Sequence, residues 1–436
     1  MKKQSIVILA PYVNGGDVGE SWSNFQWVAG LSEHHHVTLL CQRRRGQGPI
    51  GPTLPRTRVI EWSDPPALRR FERFDSMLKP GLLAYFFRAR RWLLAAAGAG
   101  EPIDLVHQLA PLAMRYPTPA LGTGLPYVIG PVGGSLETPR EFAEEMPAAP
   151  WYVRLRGVDR LRFKFDPALR ATYRGAECVI GVAPYVRKLL GDLPVRRFEV
   201  ASETAVAAPL PTPVRRRGGR DLRLLYVGRV IRTKGVRDAI RAVGRIGDPA
   251  VSLDVVGAGD DLAACRELAN ELSAPVRFHG KVSRREVDGF YRNADAFVFP
   301  SFREPSGNVV LEAMSHGLPM IVADRGGPGF VVDATCGVKV PITSPEAFAD
   351  QIATAILKLR DPEVREKLAS GAETSVREKH LWGTRIAQMC SLYESIIDEK
   401  RSGSVAEAAE AKSPGSVVGG RALGSAHATA AGVHRT

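Results

Sequence analysis

The chain has 436 residues, 44% hydrophobic and 24% charged, which suits a globular protein with more than one core and points to two domains of roughly 150–200 residues each. Five scattered cysteines (Cys41, Cys178, Cys265, Cys336, Cys390) without a CxxC exclude a disulfide framework and a cysteine zinc site and fit a reducing cytosol. The formal charge of +13 lies mainly in the first half, where residues 1–215 hold 28 Lys+Arg against 19 Asp+Glu; nucleic acid, an anionic membrane face and a phosphate-bearing substrate would each suit it.

In chain order, "SIVILA" (5–10) is too short for a signal-peptide core and reads as a first buried strand. It runs into "APYVNGGDVGESW", where Gly15 and Gly16 allow close backbone approach to a ligand, although the loop is not the GxGxxG of nicotinamide sites. Further strands are predicted at 36–41, 58–62, 104–107, 127–130 and 178–182, with helical stretches between most of them, so the first half reads as parallel βαβ units. The triple histidine 34–36 is a poor metal site, because consecutive side chains point in different directions. Two stretches mix arginine with Trp, Phe and Leu, at 68–97 and 151–170. They suit an anionic membrane face or a lipid-linked ligand, or else helices whose arginines snorkel past the sheet. Nucleic acid is the poorer partner, since no recognition motif is present. "YVIGPVGGSLETP" (127–139) brings Gly133 and Gly134 into a loop at a strand's carboxyl end, and His107 ends the preceding strand.

A Pro/Gly-rich run over 204–221 then breaks the pattern, as a linker would. Strands are predicted again at 222–228, 251–257, 276–280, 296–300 and 318–323, separated by helices at 236–246, 260–272 and 283–293. In "LYVGRVIRTKGV", Arg229 and Lys234 lie just past a strand end, where two cations suit a diphosphate. In "FPSFREPSGNVVLEAMSHG", Pro305 and Gly307 keep Glu304 in a loop, Asn308 is the predicted N-cap, and Glu312 falls about one helical turn later. Such a helix start suits phosphate, and Glu312 a ribose. Residues 383–400 form an amphipathic helix, and 401–436, rich in Ala, Gly and Ser, read as a disordered tail.

The strand–"GR…KG" followed by "PS..E…G…LEAM..G.P" resembles the retaining glycosyltransferases of family 4, strongly over 222–345 and more loosely before. The resemblance implies an α/β protein of the GT-B fold, with two Rossmann-like doubly wound domains facing a cleft. The domains would be an acceptor domain at 1–205, a linker at 206–220 and a donor domain at 221–382. A helix at 383–400 would then cross back to the first domain. It implies that Arg229 and Lys234 bind the donor diphosphate, Glu304 the transferred sugar and Glu312 the ribose, with Gly307, Asn308 and Val309 meeting sugar and phosphates. It further implies that Gly280 and Lys281 border the base, that Gly15 and Gly16 lie beneath the donor, and that Gly133, Gly134 and His107 face the acceptor. Two departures are evident. Ser306 stands where an aromatic residue is common, and Gly130 where many members carry a histidine, as in a subset with GPxGG. The implied activity moves a hexose, with retention and no metal or other cofactor, from a nucleotide sugar to a saccharide or lipid-linked acceptor. It would serve cell-surface polysaccharide or glycolipid synthesis, in the cytoplasm or on the inner membrane face. A sugar-nucleotide epimerase of the same fold and an inactive nucleotide-sugar-binding protein are the alternatives.

Overall fold

A computed structural model of the chain describes residues 3–44, 46–63, 80–146, 158–207 and 221–411. They fall into two units, Met1–Tyr393 and Glu394–Thr436. The first unit holds two parallel sheets. Of the second, the described part is the continuation of a helix.

The first sheet is built from β1 (Ser5–Leu9), β2 (His36–Arg43), β3 (Thr57–Ser63), β4 (Leu105–Gln108), β5 (Tyr127–Val132), β6 (Cys178–Gly181) and β7 (Phe198–Val200), ordered β3-β2-β1-β4-β5-β6-β7. Its helices include α1 (Glu20–His34), α2 (Pro80–Gly98), α3 (Val158–Phe165), α4 (Pro167–Gly175) and α5 (Tyr185–Leu190). Strands β4, β5 and β6 are buried along their whole length, which is why they read as near-continuous apolar runs. The second sheet joins β8 (Leu222–Val227), β9 (Val251–Val256), β10 (Val276–Gly280), β11 (Ala296–Phe299), β12 (Met320–Ala323) and β13 (Gly337–Val340), ordered β10-β9-β8-β11-β12-β13. Around it lie α6 (Val236–Ile246), α7 (Leu262–Glu271), α8 (Arg284–Asn293), α9 (Asn308–Ser315), α10 (Gly326–Val331), α11 (Pro345–Lys358) and α12 (Pro362–Lys379). All strand pairs are parallel. Each domain is therefore doubly wound, and strand order reverses between β1 and β4 in one sheet and between β8 and β11 in the other. Loops leaving the carboxyl ends of these central pairs open a crevice in such folds.

Two edge strands escape sequence reading. β7 has three residues, all half-buried, and β13 has four with a lysine among them, so neither shows a long apolar run. The final helix differs as well. α13 runs Trp382–Ala411, so the helix expected to end at 400 continues for 11 further residues into what reads as a disordered tail. The extension "RSGSVAEAAEA" is mostly Ala and Glu after its first turn, and these residues have high helix propensity. Residues 412–436 of the expected tail, 208–220 of the expected linker, 68–79 and 151–157 of the basic stretches lie outside the described residues.

Two devices join the domains within the first unit. The start of α13 returns to the first domain, where Trp382 meets Trp27 edge-on at 5.4 Å and the Tyr393 hydroxyl bonds the His107 ring. In the other direction, a short 3-10 turn at Arg140–Phe142 sends Phe142 into the core of the second domain. Phe142 is 0% exposed and packs on Phe302 at 4.7 Å and Phe348 at 5.9 Å. Arg232 covers the same cluster, its guanidinium 5.1 Å from the Phe142 ring and 5.3 Å from Phe302. It bonds Asp238 through two nitrogens at 2.7 and 3.0 Å, and Glu145 at 2.8 Å. This buried cation is thus fully engaged, and one of its carboxylates comes from the first half of the chain. Phe142→Ala should lower stability by about 3–5 kcal/mol through the cavity it leaves. Chemical denaturation would measure this, and a change below about 1 kcal/mol would show that the strap does not hold the domains.

Candidate active site

The β8/β11 switch point brings together the two loops singled out in the sequence. After β8 the chain makes a 3-10 turn, Arg232–Lys234, and Lys234 is 7% exposed. After β11 it enters the loop carrying Glu304. The Thr233 carbonyl accepts both the Phe302 N–H and the Ser301 hydroxyl, each at 3.2 Å, so one loop is tied to the other through backbone. Across that tie the Lys234 ammonium donates to the Glu304 carboxylate and, at 3.3 Å, to the Arg303 carbonyl. The other Glu304 oxygen accepts the Gly307 N–H at 3.3 Å, and the Glu304 carbonyl accepts the Gly327 N–H at 3.0 Å. The carboxylate is therefore fixed on both sides, and the start of α10 backs its loop. The GGPG sequence of α10 was not singled out as a site feature, although a glycine cluster just after a strand was the available signal.

Helix α9 begins one residue earlier than expected. Gly307 is the N-cap, at φ 83°, and Asn308 is the first helical residue. The chain turns sharply from loop to helix through a left-handed residue, which glycine adopts without strain. Asn308 caps nothing, and its side-chain oxygen is buried without a hydrogen-bond partner. The first-turn N–H groups around Asn308 and Val309 are left without a side-chain cap. Glu312 follows on α9 and accepts the Tyr291 hydroxyl at 3.2 Å. Burial raises its pKa above the ordinary carboxylate value, with the Tyr291 hydrogen bond and Arg284 opposing. Arg229 is exposed on the β8 loop, and its carbonyl is held by the Tyr226 hydroxyl at 2.9 Å. Gly280, whose carbonyl accepts the Gly257 N–H at 2.8 Å, ends β10, and Lys281 follows it exposed.

The first domain meets this loop through the GPVGG segment. A Cβ on Gly133 would lie 2.6 Å from Val182 Cγ2 and 3.4 Å from Pro305 Cβ, so the segment packs directly behind Glu304. Gly134 N–H donates to the Tyr185 hydroxyl at 3.0 Å, and Arg325 donates to the Glu137 carbonyl at 2.7 Å. Gly130 cannot carry the histidine found in many relatives. At φ 129°, a Cβ there would fall 2.2 Å from the Ile180 carbonyl oxygen on β6. His107 does not take over that role and does not face an acceptor. It is 0% exposed, with its ring bonded to the Gly130 carbonyl and the Tyr393 hydroxyl, so the expectation of an acceptor-side contact is corrected to a structural one. Burial pushes its pKa down to about 4, the Gly130 carbonyl opposing, so the ring is neutral.

Gly15 and Gly16 form the turn between β1 and α1, with the Gly16 N–H on Asn14 Oδ1 at 2.9 Å. Beside that turn lies a polar cavity of about 230 Å³ lined by Asp17, Glu20, Ser21, Asn24 and Arg44. It shares Pro11, Leu82, Ala110 and Pro111 with a larger apolar cavity of about 430 Å³ lined by Leu83, Phe86, Phe87 and Tyr116. Sequence reasoning also missed Glu203, an isolated acid after β7 that nothing in the pattern marks. It nevertheless stands within the electrostatic reach of Glu304 and Glu20. Of the histidine run, His35 is buried while His34 and His36 are exposed. Among the described residues no three His, Cys, Asp or Glu side chains gather as a metal site would require.

Comparison with known proteins matches the architecture. Residues 22–202 match the glycosyl transferase 4-like domain and residues 221–358 the glycosyl transferases group 1 family. Glycogen synthase of Mycobacterium tuberculosis is 31% identical over 192 residues, 43% of this chain and 46% of the relative. D-inositol 3-phosphate glycosyltransferase of Corynebacterium glutamicum is 34% identical over 183 residues, 39% of this chain and 43% of the relative. The chain spans about half the length of the curated relatives it matches. Among solved structures, sucrose-phosphate synthase from Thermosynechococcus elongatus superposes with TM-score 0.63 at 20% identity, covering 91% of this chain and 100% of that one. Anabaena HepE, solved in complex with UDP and glucose, gives 0.58 at 17% identity, covering 89% and 99%. With both domain families matched in order on two facing parallel sheets, the chain belongs to the group 1, family 4-like glycosyltransferases of GT-B fold.

Proposed function

We propose that the protein transfers a hexose, with retention, from a nucleotide sugar held by the second domain to an acceptor held by the first. The observation that carries this reading is the Lys234–Glu304 pair at the β8/β11 switch point. A hydrolase with two working carboxyl groups needs them flanking one bond. Here Glu304 is committed to an ammonium, and Glu312 accepts the hydroxyl of Tyr291 on α8. A cation locked between a carboxylate and a backbone carbonyl instead suits a group that develops negative charge, such as a departing diphosphate. In the proposed step the acceptor oxygen bonds the anomeric carbon as the bond to the diphosphate oxygen breaks. The diphosphate leaves with the electron pair and takes up the acceptor's proton. Lys234 and Arg229 offset its charge, Glu304 orients the sugar, and Glu312 holds the ribose. Gly280 and Lys281 lie where the base would rest. The binding of UDP and glucose by Anabaena HepE supports a nucleotide-sugar donor, and no metal or other cofactor is assigned a role.

The paired cavities support an amphiphilic acceptor. The polar cavity at Glu20 suits a sugar or phosphate headgroup, and the adjoining apolar one a hydrocarbon chain. On α2, Leu83 and Phe87 are 63% and 61% exposed, beside Arg88 and Arg91. Such a face suits an anionic lipid surface. No described helix is long and apolar enough to cross a membrane. Rhizobium meliloti LpsE, a lipopolysaccharide core biosynthesis glycosyltransferase 28% identical over 227 residues, is consistent with a glycolipid or cell-surface polysaccharide product.

Two outcomes test the reading. A panel of UDP-, GDP-, ADP- and dTDP-sugars should contain one that raises the thermal midpoint of the wild type, since a ligand at 100 times its Kd stabilises by about 2.7 kcal/mol. With that donor, Lys234→Ala and Glu304→Ala should each lower kcat by about 10²–10³-fold while circular dichroism stays native. Full transfer by both variants, or release of free epimerised sugar without an acceptor, overturns the assignment. Phosphatidylserine vesicles should bind the protein at low salt and release it as ionic strength rises, with Phe87→Ser weakening binding. Equal binding to neutral vesicles would rule out the charged part of that surface.

A further inference from the structure

Tyr291 lies on α8, outside the two loops of the switch point, yet it contacts α9 twice. Its hydroxyl donates to Glu312 Oε2 at 3.2 Å. Its ring stacks on His316, the residue that ends α9, at 4.9 Å with 25° between the planes. Tyr291 is 2% exposed, and its ring lies 5.9 Å from that of Phe297 on β11. The stack is braced from α8 itself. His316 Nε2 stands 3.3 Å from Asp288 Oδ1, one turn before Tyr291, and the other Asp288 oxygen accepts Arg292 Nε at 2.7 Å. A reciprocal capping box between Ser283 and Glu286 fixes the start of the same helix. A buried ring packed against two others keeps one rotamer, so the hydroxyl is held at a fixed point.

Glu312 needs such a support. A glutamate side chain has several torsions to fix, and a single arrangement persists only where a contact selects it. The charge that faces Glu312 is Arg284, from the first turn of α8, but its guanidinium lies 5.3 Å from the Trp22 ring of the first domain. The hydrogen bond that selects the carboxylate's direction is the one from Tyr291. That bond leaves Oε1 uncommitted and a second acceptor position on Oε2. Two oxygens in a fixed plane match a vicinal diol, one hydroxyl to each. Glu312 is half-buried, so an acceptor left unpaired there by a missing hydroxyl is costly.

We propose that Tyr291 is a positioning residue that holds the Glu312 carboxylate for the 2′,3′-diol of a ribose, so that the donor site selects ribonucleoside over 2′-deoxyribonucleoside diphosphates. This rests on the transferase reading above, in which Glu312 holds the ribose. Tyr291 does not touch the nucleotide and acts only through Glu312. The donor class that follows is a ribonucleoside diphosphate sugar, such as a UDP-, GDP- or ADP-sugar, rather than a dTDP-sugar.

Isothermal titration calorimetry of the full chain with UDP, GDP and ADP, each beside its 2′-deoxy counterpart, tests this. The wild type should bind its best ribonucleotide about tenfold or more tighter than the 2′-deoxy form. Tyr291→Phe keeps the ring and its stacking and removes only the hydroxyl. It should weaken the ribonucleotide by about tenfold and bring the two forms close together in affinity. In a Glu312→Ala background, adding Tyr291→Phe should change neither affinity, because the two residues act as one unit. An unchanged ratio in Tyr291→Phe, or an equal further loss when it is added to Glu312→Ala, overturns the positioning role and leaves Tyr291 a packing residue. A wild type that binds both forms equally overturns the selection of ribose. A wild type that binds none of these nucleotides contradicts the transferase reading itself, and the proposal falls with it.

Discussion

The site depends on one ion pair placed by sheet topology. Because β8 and β11 are neighbours in the second sheet, the loops leaving their carboxyl ends must emerge side by side. Lys234 and Glu304 are 70 residues apart in sequence and meet there, with little solvent around either. A lone charge at that depth would be costly, so each loop supplies what the other needs. The surrounding bonds to Thr233, Gly307 and Gly327 then determine where the pair can stand. On the proposed reading, a diphosphate entering this site would find an ammonium already oriented by folding.

The second constraint is the relation of the domains. The Glu304 loop is not supported by its own domain alone. Gly133 packs behind Pro305, and Arg303 and Arg325 reach Thr138 and Glu137. Just beyond, Phe142 and Glu145 enter the second domain and meet Arg232, two residues before Lys234. The GPVGG segment and the strap that follows it therefore join the first domain to both loops of the β8/β11 switch point. Glu203 reaches the same loop from the end of β7. Its neighbourhood of Glu20, Ser306 and Glu304 exists only because the two domains are held together.

The sequence made the second domain legible, because its strands are apolar runs ended by glycine or proline and its motifs are contiguous. The strand-end loops of Lys234 and Glu304 and the helical place of Glu312 were legible from spacing and resemblance. Features that arise from pairing across the chain could not. Nothing local marks Phe142 as a core residue of the other domain, or Arg232 as a buried cation rather than one more charge in a basic loop. The same holds for Glu203, whose properties are set by residues about 100 and 180 positions away along the chain. His107 misled for the converse reason. Its strand-end position suggested a site, and only the packing of Tyr393 and the Gly130 carbonyl shows that it is walled in. Gly130 itself is explained by the Ile180 carbonyl on the neighbouring strand, a contact that no reading of one strand could supply.

The most direct test is a crystal structure of the protein soaked with a nucleoside diphosphate sugar. The account predicts phosphate oxygens within hydrogen-bond distance of Lys234 and Arg229 and near the first turn of α9, the ribose on Glu312, and the sugar against Glu304. A nucleotide bound elsewhere, with the Lys234–Glu304 pair untouched, would contradict it.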